Sequence, residues 1–290
     1  GFQIEERFIP TDQKIAIVNR LSRTGLAKIE VTSFVSPRAV PALSDAETVM
    51  RSIDRLPGIV YSALVPNQRG FERALACDVD EINLVMSASL SHSLANLRMT
   101  PDHSLKEFAS ILDAAGSARP AVNVALSTAF GCPFDGEVPS SRVLQIVDRL
   151  LPLGVDGLSL CDTTGMANPM QVAQLCEAVL VQAPALRLTV HFHNTRGMGL
   201  ANALAAWKVG VVRFDASLGG LGGCPFAPGA TGNVVFEDLV FLCESKGFAT
   251  GIDIDKLVAV RAILKAEMPG EQLYGGLARA GLPDRKRAAA

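Results

Sequence analysis

Of the four histidines in this 290-residue chain, two stand one residue apart, His191 and His193 in "TVHFHNTRG" (189–197). They end an alternating apolar run. Residues i and i+2 of a strand share a face, so the spacing points both imidazoles the same way. Two imidazoles on one face make half of a metal site; the alternative is one ring packed in a core and the other solvated. With oxygen ligands beside them, magnesium, manganese or zinc are candidates, and donor softness alone does not choose.

A second candidate is the glycine-dense loop "SLGGLGGCPFAPGATGN" (217–233). Glycine lets a backbone approach a ligand closely, and Cys224 sits inside the loop. A loop thiol can shuttle a proton or attack a carbon, according to its pKa. The plainer reading is a floppy connection with a stray thiol. Asn233 either caps the helix expected to start near it or lends an oxygen to a metal. Glu30, in "KIEVTSF", and Asp162, in "LCDTTG", are acids in strands suited to burial. A buried carboxylate is costly unless paired or metal-bound. Each is therefore a ligand, a partner that orients a histidine, or a loop cap. His92 and His103 fall in the polar stretch "SLSHSLANLRMTPDHSL" and read as surface residues.

The elements that must position these groups are legible as alternation. Strand-like runs occupy 27–35, 58–65, 80–89, 120–130, 155–163, 186–195 and 211–218. They are rich in Val, Ile and Leu and bounded by Gly, Pro or Asp. Between them lie helix-period segments. In "TDQKIAIVNRLSRTG", Thr11 is the N-cap candidate and Gly25 the stop; "SSRVLQIVDRLLPLG" and "NPMQVAQLCEAVLVQ" read similarly. Such alternation implies βαβ units and a parallel sheet. The chain opens with a helix that lacks a preceding strand, and seven units are visible where an eight-fold barrel needs eight. The expectation is a single α/β domain over 1–290, a TIM (β/α)8 barrel. Its first strand is expected ahead of Gly1, and a frayed tail over about 283–290. A seven-stranded or open sheet is the alternative. Barrel active sites lie at the C-terminal strand ends, which is where His191, His193, Asp162 and the cysteine loop fall. Ser33, Gly222 and Gly223 at the same ends are candidate substrate contacts.

Composition narrows the class. The net charge is -2, with 49% hydrophobic and 19% charged residues. That favours neither a nucleic-acid partner nor an acidic solvating tail. No run of about 18 apolar residues suggests a membrane span, and the opening residues do not read as a signal peptide with a basic flank and apolar centre. The six cysteines (Cys77, Cys132, Cys161, Cys176, Cys224 and Cys243) are scattered. They read as mostly buried free thiols of a cytoplasmic protein.

Taken together, "GGLGGCPFAPGATGNVVFEDLV", "IEVTSFVSP", "LVPNQRGFERA", "GCPFDGEV", "SLCDTTG" and "HFHNTRGMGLANALAA" resemble the 3-hydroxy-3-methylglutaryl-CoA lyase family, in the family's order. The resemblance runs from Gly1 to about Leu257. The wider superfamily of metal-dependent barrels includes isopropylmalate and citramalate synthases. The resemblance implies a retro-Claisen cleavage of 3-hydroxy-3-methylglutaryl-CoA to acetyl-CoA and acetoacetate. It implies a divalent cation (magnesium or manganese, with zinc as an alternative) on His191, His193 and an oxygen of Asn233. It also implies that Cys224 protonates the acetyl-CoA enolate or relays that proton. Glu30 corresponds to an acid that organises the cation site, and Asp162 to an aspartate near metal and substrate. An acyl-CoA thioester is the implied partner and a homodimer the implied assembly.

Three departures stand out. The family's Arg-Asp pair, whose aspartate is a metal ligand, would precede Gly1. Leu90 stands where the family usually has Glu. Asn194-Thr195-Arg196 replaces the Asp-Thr-Tyr of better-known members. Losing an acid and gaining a cation makes the pocket more positive. Arg196 either reaches a substrate carboxylate, shifting thioester preference, or faces solvent. Lyases of the citramalyl-CoA or methylmalyl-CoA type, a Claisen-type synthase joining acetyl-CoA to a 2-oxo acid, and a non-catalytic remnant are the competing readings.

Overall fold

The alternating runs become seven strands, β1 (Lys28–Ser33), β2 (Val60–Val65), β3 (Glu81–Ser87), β4 (Ala121–Ser127), β5 (Gly157–Asp162), β6 (Arg187–Phe192) and β7 (Phe214–Asp215). All pair in parallel and in chain order, leaving β1 and β7 as the sheet edges. This computed structural model describes residues 1–5, 7–116, 119–223 and 232–283. Helices α1 (Thr11–Leu21), α2 (Ala46–Ser52) and α3 (Gln68–Leu75) flank β1 and β2. After β3 come α4 (Leu90–Leu97) and α5 (Pro101–Ala115). Then α6 (Ser140–Leu150), α7 (Pro169–Gln182) and α8 (Gly199–Lys208) follow β4, β5 and β6. The chain continues into α9 (Phe236–Ser245), α10 (Ile254–Glu267) and α11 (Gly276–Ala280). The sheet curls as in a TIM barrel, bringing Glu30 of β1 within electrostatic reach of Asp215 of β7. No eighth strand is among the described residues. No helix among them is long and apolar enough to cross a membrane.

Strand alternation divides the two faces. Tyr61 sends its hydroxyl to Ser22 Oγ beyond α1 (3.0 Å), so its side of β2 faces the helices. Leu158, Leu160, Leu188, Val190 and Phe192 are likewise buried in the main apolar core. The opposite face is polar inside the barrel: Asn123 donates to Ser159 Oγ across β4 and β5 (2.9 Å), and Asn83 donates to Glu30 (2.5 Å). At the N-terminal strand ends the buried Glu81 carboxylate meets Lys28 (2.5 Å) and Arg187 (3.9 Å). That ties β1, β3 and β6 on the face where barrels place stability rather than chemistry.

Three local expectations change. The strand expected over 211–218 is two residues long, because Val212 turns to solvent (71% exposed). Thr11 does not cap α1. Pro10 takes that position, and the Thr11 hydroxyl is drawn to the Asp45 carboxylate (2.7 Å), which also binds the buried Lys14 (2.8 Å). The hydroxyl donates to that carboxylate in a charge-assisted hydrogen bond.

α1 ends at Leu21 with Ser22 as its C-cap, ahead of the expected stop; Gly25 instead closes the turn that follows, where no side chain fits. Its φ is +90°, and a Cβ would lie 2.0 Å from the Gly251 carbonyl oxygen. The same junction carries the bond from Asp253 N–H to the Thr24 carbonyl (2.7 Å), joining α1 to the start of α10. We expect Gly25→Ala to destabilise the protein by about 2–4 kcal/mol, combining left-handed strain with a backbone clash. Urea unfolding measures it, and a loss under half a kilocalorie per mole refutes this account of the junction.

Candidate active site

The barrel mouth gathers most of the predicted groups. His191 and His193 lie at the end of β6 with ring centroids 5.3 Å apart, on one face as the alternation requires. His191 is half-buried and its Nδ1 is hydrogen-bonded to Asp215. Burial works against its imidazolium, but the charge and hydrogen bond of Asp215 outweigh that and raise its pKa. His193 is buried, and its Nδ1 has no hydrogen-bond partner. Burial, then the neighbouring His191, pushes its pKa down to about 3. Its ring is therefore neutral near pH 7, with a lone pair available.

Asn233 completes this corner. The chain leaves β7 through a turn at Leu218–Gly220 and returns at Gly232 to run antiparallel beside the end of β6. Asn194 N–H donates to the Gly232 carbonyl (3.1 Å) and Val234 N–H to that of Phe192 (3.0 Å). The Asn233 amide nitrogen donates to the carbonyls of Leu221 (2.8 Å) and Gly222 (3.2 Å) and to Ser217 Oγ (2.8 Å). Two of these acceptors have no proton to give, so the NH2 must face them. The amide oxygen is left buried without a partner, across a backbone bridge from His193. Gly232 makes the return possible: a Cβ there would lie 1.7 Å from the Gly220 carbonyl oxygen. Asn233 does not cap a helix, as one alternative had it; α9 begins three residues later, behind Val235. Gly222 and Gly223 sit in this neck, but Cys224 lies outside the described residues.

Buried polar atoms without partners are rare and ask for an explanation such as an ion. An imidazole nitrogen and an amide oxygen on neighbouring residues, with a second imidazole beside them, fit a divalent cation. Among the described residues no three His, Cys, Asp or Glu side chains are grouped as they would be to hold a metal ion; the polar atoms gathered here are two imidazoles and the Asn233 amide oxygen.

The remaining candidates divide. Glu30 faces the barrel interior and is oriented by Asn83. Desolvation raises its pKa, the Asn83 hydrogen bond opposes the rise, and Asp215 adds to it. Ser33 Oγ is buried without a partner at the end of β1. Asp162 is buried and accepts from the amides of Met166 (2.7 Å) and Ala167 (3.2 Å), shaping the loop after β5. Arg196 is exposed, yet its guanidinium donates to the carbonyls of Thr164 (3.0 Å) and Gly165 (2.9 Å), bracing the same loop. His103 is exposed as expected, but His92 is not. Ser89 caps α4 and turns His92 back onto β3, with its Nδ1 3.1 Å from Ser87 Oγ.

The sequence model of the HMGL-like family matches residues 1–264. The chain belongs to the HMGL-like family. It is 43% identical to a hydroxymethylglutaryl-CoA lyase of Bacillus subtilis over 92% of this chain and 90% of that protein. It is 41% identical to the (R)-citramalyl-CoA lyase of Chloroflexus aurantiacus, over 97% and 92%. Its backbone superposes with a TM-score of 0.93 on an HMG-CoA lyase from Acinetobacter baumannii solved with coenzyme A and 3-methylmalate. That pair is 47% identical over 98% of this chain and 93% of the other. The TIM-barrel reading of this HMGL-like chain therefore stands.

Sequence reasoning missed Asp215. It sits beside His191 in the β6–β7 register, but nothing in "VVRFDASL" marks that register before β6 and β7 are paired. The free cysteines Cys77, Cys132, Cys161 and Cys176 are buried as expected, and Cys243 is half-buried.

Asp162 gives a pH test. Burial raises its pKa from 3.8 to about 6, outweighing the two amide hydrogen bonds. Between those values the folded state binds more protons than the unfolded one, so this contribution favours folding at low pH. It is lost as pH rises through about 6. Asp162→Asn should flatten that part of the stability curve, by up to about 3 kcal/mol. Urea melts across this range decide it, and an unchanged slope places the titration elsewhere.

Proposed function

We propose that this protein is a divalent-metal-dependent carbon–carbon lyase cleaving 3-hydroxy-3-methylglutaryl-CoA to acetyl-CoA and acetoacetate. The observation that carries the reading is the pair of buried, unpartnered donors, His193 Nδ1 and Asn233 Oδ1, beside His191 at the barrel mouth. In this reading His191, His193 and Asn233 hold magnesium or manganese. When bound, the cation would orient the substrate and stabilise negative charge on the carbinol oxygen, and the hydroxyl proton would pass to the Glu30 carboxylate facing the barrel interior.

The chain's own groups do the rest. Glu30, held by Asn83, sits where an acid can organise the cation site. Asp162 and Arg196 keep the loop after β5 in one shape over the mouth. As the bond between the carbinol carbon and the thioester α-carbon breaks, its electron pair stays on the α-carbon as an enolate. Cys224 delivers a proton there, from a loop whose neck is closed by the Asn233 amide. Ser33, Gly222 and Gly223 line the approach for the acyl-CoA thioester. The free thiols of the described cysteines favour a reducing compartment such as the cytoplasm, and the family resemblance favours a homodimer.

A second substrate is supported by the citramalyl-CoA lyase relative. Citramalyl-CoA carries the same carbinol and thioester but one methylene fewer before its carboxylate, and the same cleavage gives acetyl-CoA and pyruvate. Purified protein with Mg²⁺ or Mn²⁺ and a panel of 3-hydroxyacyl-CoA thioesters should release free acetyl-CoA, with acetoacetate as co-product from the favoured substrate. Chelation should abolish turnover and added Mn²⁺ restore it. Cys224→Ala should lower kcat by about 10²–10⁴ with substrate binding retained. Absence of acetyl-CoA from every thioester would sink the reading.

A further inference from the structure

Asp215 has no assigned role, and the geometry gives it one. It stands beside His191 in the parallel register of β6 and β7, so both side chains project from the same face. Asp215 Oδ1 is hydrogen-bonded to His191 Nδ1. A carboxylate only accepts, so Nδ1 must carry the proton whenever this bond is made. A neutral imidazole then has its lone pair on Nε2 alone. The carboxylates of Glu30 and Asp162 act on His191 only through space.

We infer that Asp215 is a positioning residue, which locks His191 in the Nδ1–H tautomer and turns its Nε2 toward the cation. The inference rests on the metal reading above. Asp215 itself is half-exposed, and exposed ion pairs add little to stability. Its contribution therefore lies in orientation rather than in folding. His193 differs: its Nδ1 is buried with no partner, so it donates through the atom that His191 gives to Asp215. The two rings, tilted by 59°, thus offer opposite nitrogens to one point, and only one of them needs an anchor. Partners of this kind on metal-bound histidines are worth about 10–100-fold in metal affinity.

The experiment uses ¹⁵N-labelled protein and Mn²⁺. Imidazole ¹⁵N–¹H correlation spectra of the metal-free protein, at a pH where the ring is neutral, should show His191 protonated on Nδ1. In Asp215→Ala the Nε2–H tautomer should appear. Mn²⁺ affinity, measured by electron paramagnetic resonance, should fall about 10–100-fold while the melting temperature stays near that of the parent. Where the alanine variant does not fold, Asp215→Asn reports in its place. Its amide can donate to Nδ1 as readily as accept from it, so mixed tautomers and weaker Mn²⁺ binding are expected. An unchanged tautomer, or unchanged Mn²⁺ affinity, in the variant overturns the inference while the metal site stands. Weaker Mn²⁺ binding with the tautomer unchanged also overturns it, since charge alone then explains the loss. A parent protein that binds no Mn²⁺ overturns both.

Discussion

The site depends on one amide. Asn233 spends its NH2 on the carbonyls of Leu221 and Gly222 and on Ser217 Oγ. That choice does two things at once. It closes the neck of the loop between β7 and α9, and it leaves the amide oxygen buried against His193. The loop and the donor set are therefore mechanically one unit. The neck tolerates no side chain at Gly232, so closure needs glycine there as much as it needs the amide. A buried orphan oxygen costs on the order of 1–3 kcal/mol, so keeping one beside an orphan imidazole nitrogen is a cost the fold carries at this corner.

Electrostatics points the same way. Glu30 and Asp215 face each other across the curl of the sheet, each near His191. Burial raises the Glu30 pKa, and the charge of Asp215 adds to the rise. At the N-terminal end of the same barrel the interior acid meets two cations: Glu81 pairs with Lys28 and Arg187. At the mouth Asp215 is paired with His191, and Glu30 accepts from Asn83. The two ends of the barrel therefore treat their acids differently, with lysine and arginine partners at one and histidine and amide partners at the other.

How much of this was readable beforehand follows from the range of each signal. Strand identity rests on local runs, and seven of seven strand positions were recovered. The facing of His191 and His193 needs only the strand period, so it too was local. Asp215 needed the pairing of two strands separated by a whole helix, and its own strand is two residues long, too short to show a period. His92 failed for a related reason. A polar neighbourhood suggested solvent, but the Ser89 cap folds the first turn of α4 over the end of β3, and backbone geometry rather than composition decides burial. In the sequence Glu30 is an acid in a strand suited to burial; it faces the interior with Asn83, a partner two strands away. Asp162 reads in the sequence as a ligand, a partner that orients a histidine or a loop cap, and its two backbone bonds show the cap.

Arg196 shows why substrate choice is harder to read than chemistry. The groups that meet the carbinol and the breaking bond must be the same for either thioester, since both share those atoms. The substrates differ only in how far the carboxylate lies from that carbon. A side chain that reads the difference must sit on a loop whose shape is fixed, or a methylene's displacement would be absorbed by motion. The Asp162 carboxylate fixes the loop after β5 from within, through Met166 and Ala167. Arg196 fixes it from outside, through Thr164 and Gly165. The arginine can therefore influence specificity without touching substrate, by setting the rigidity of the loop it braces. Direct capture of a carboxylate would require its guanidinium to leave those two carbonyls or to use its remaining N–H groups. Each route carries its own energetic signature, because the first would loosen the loop on binding and the second would not.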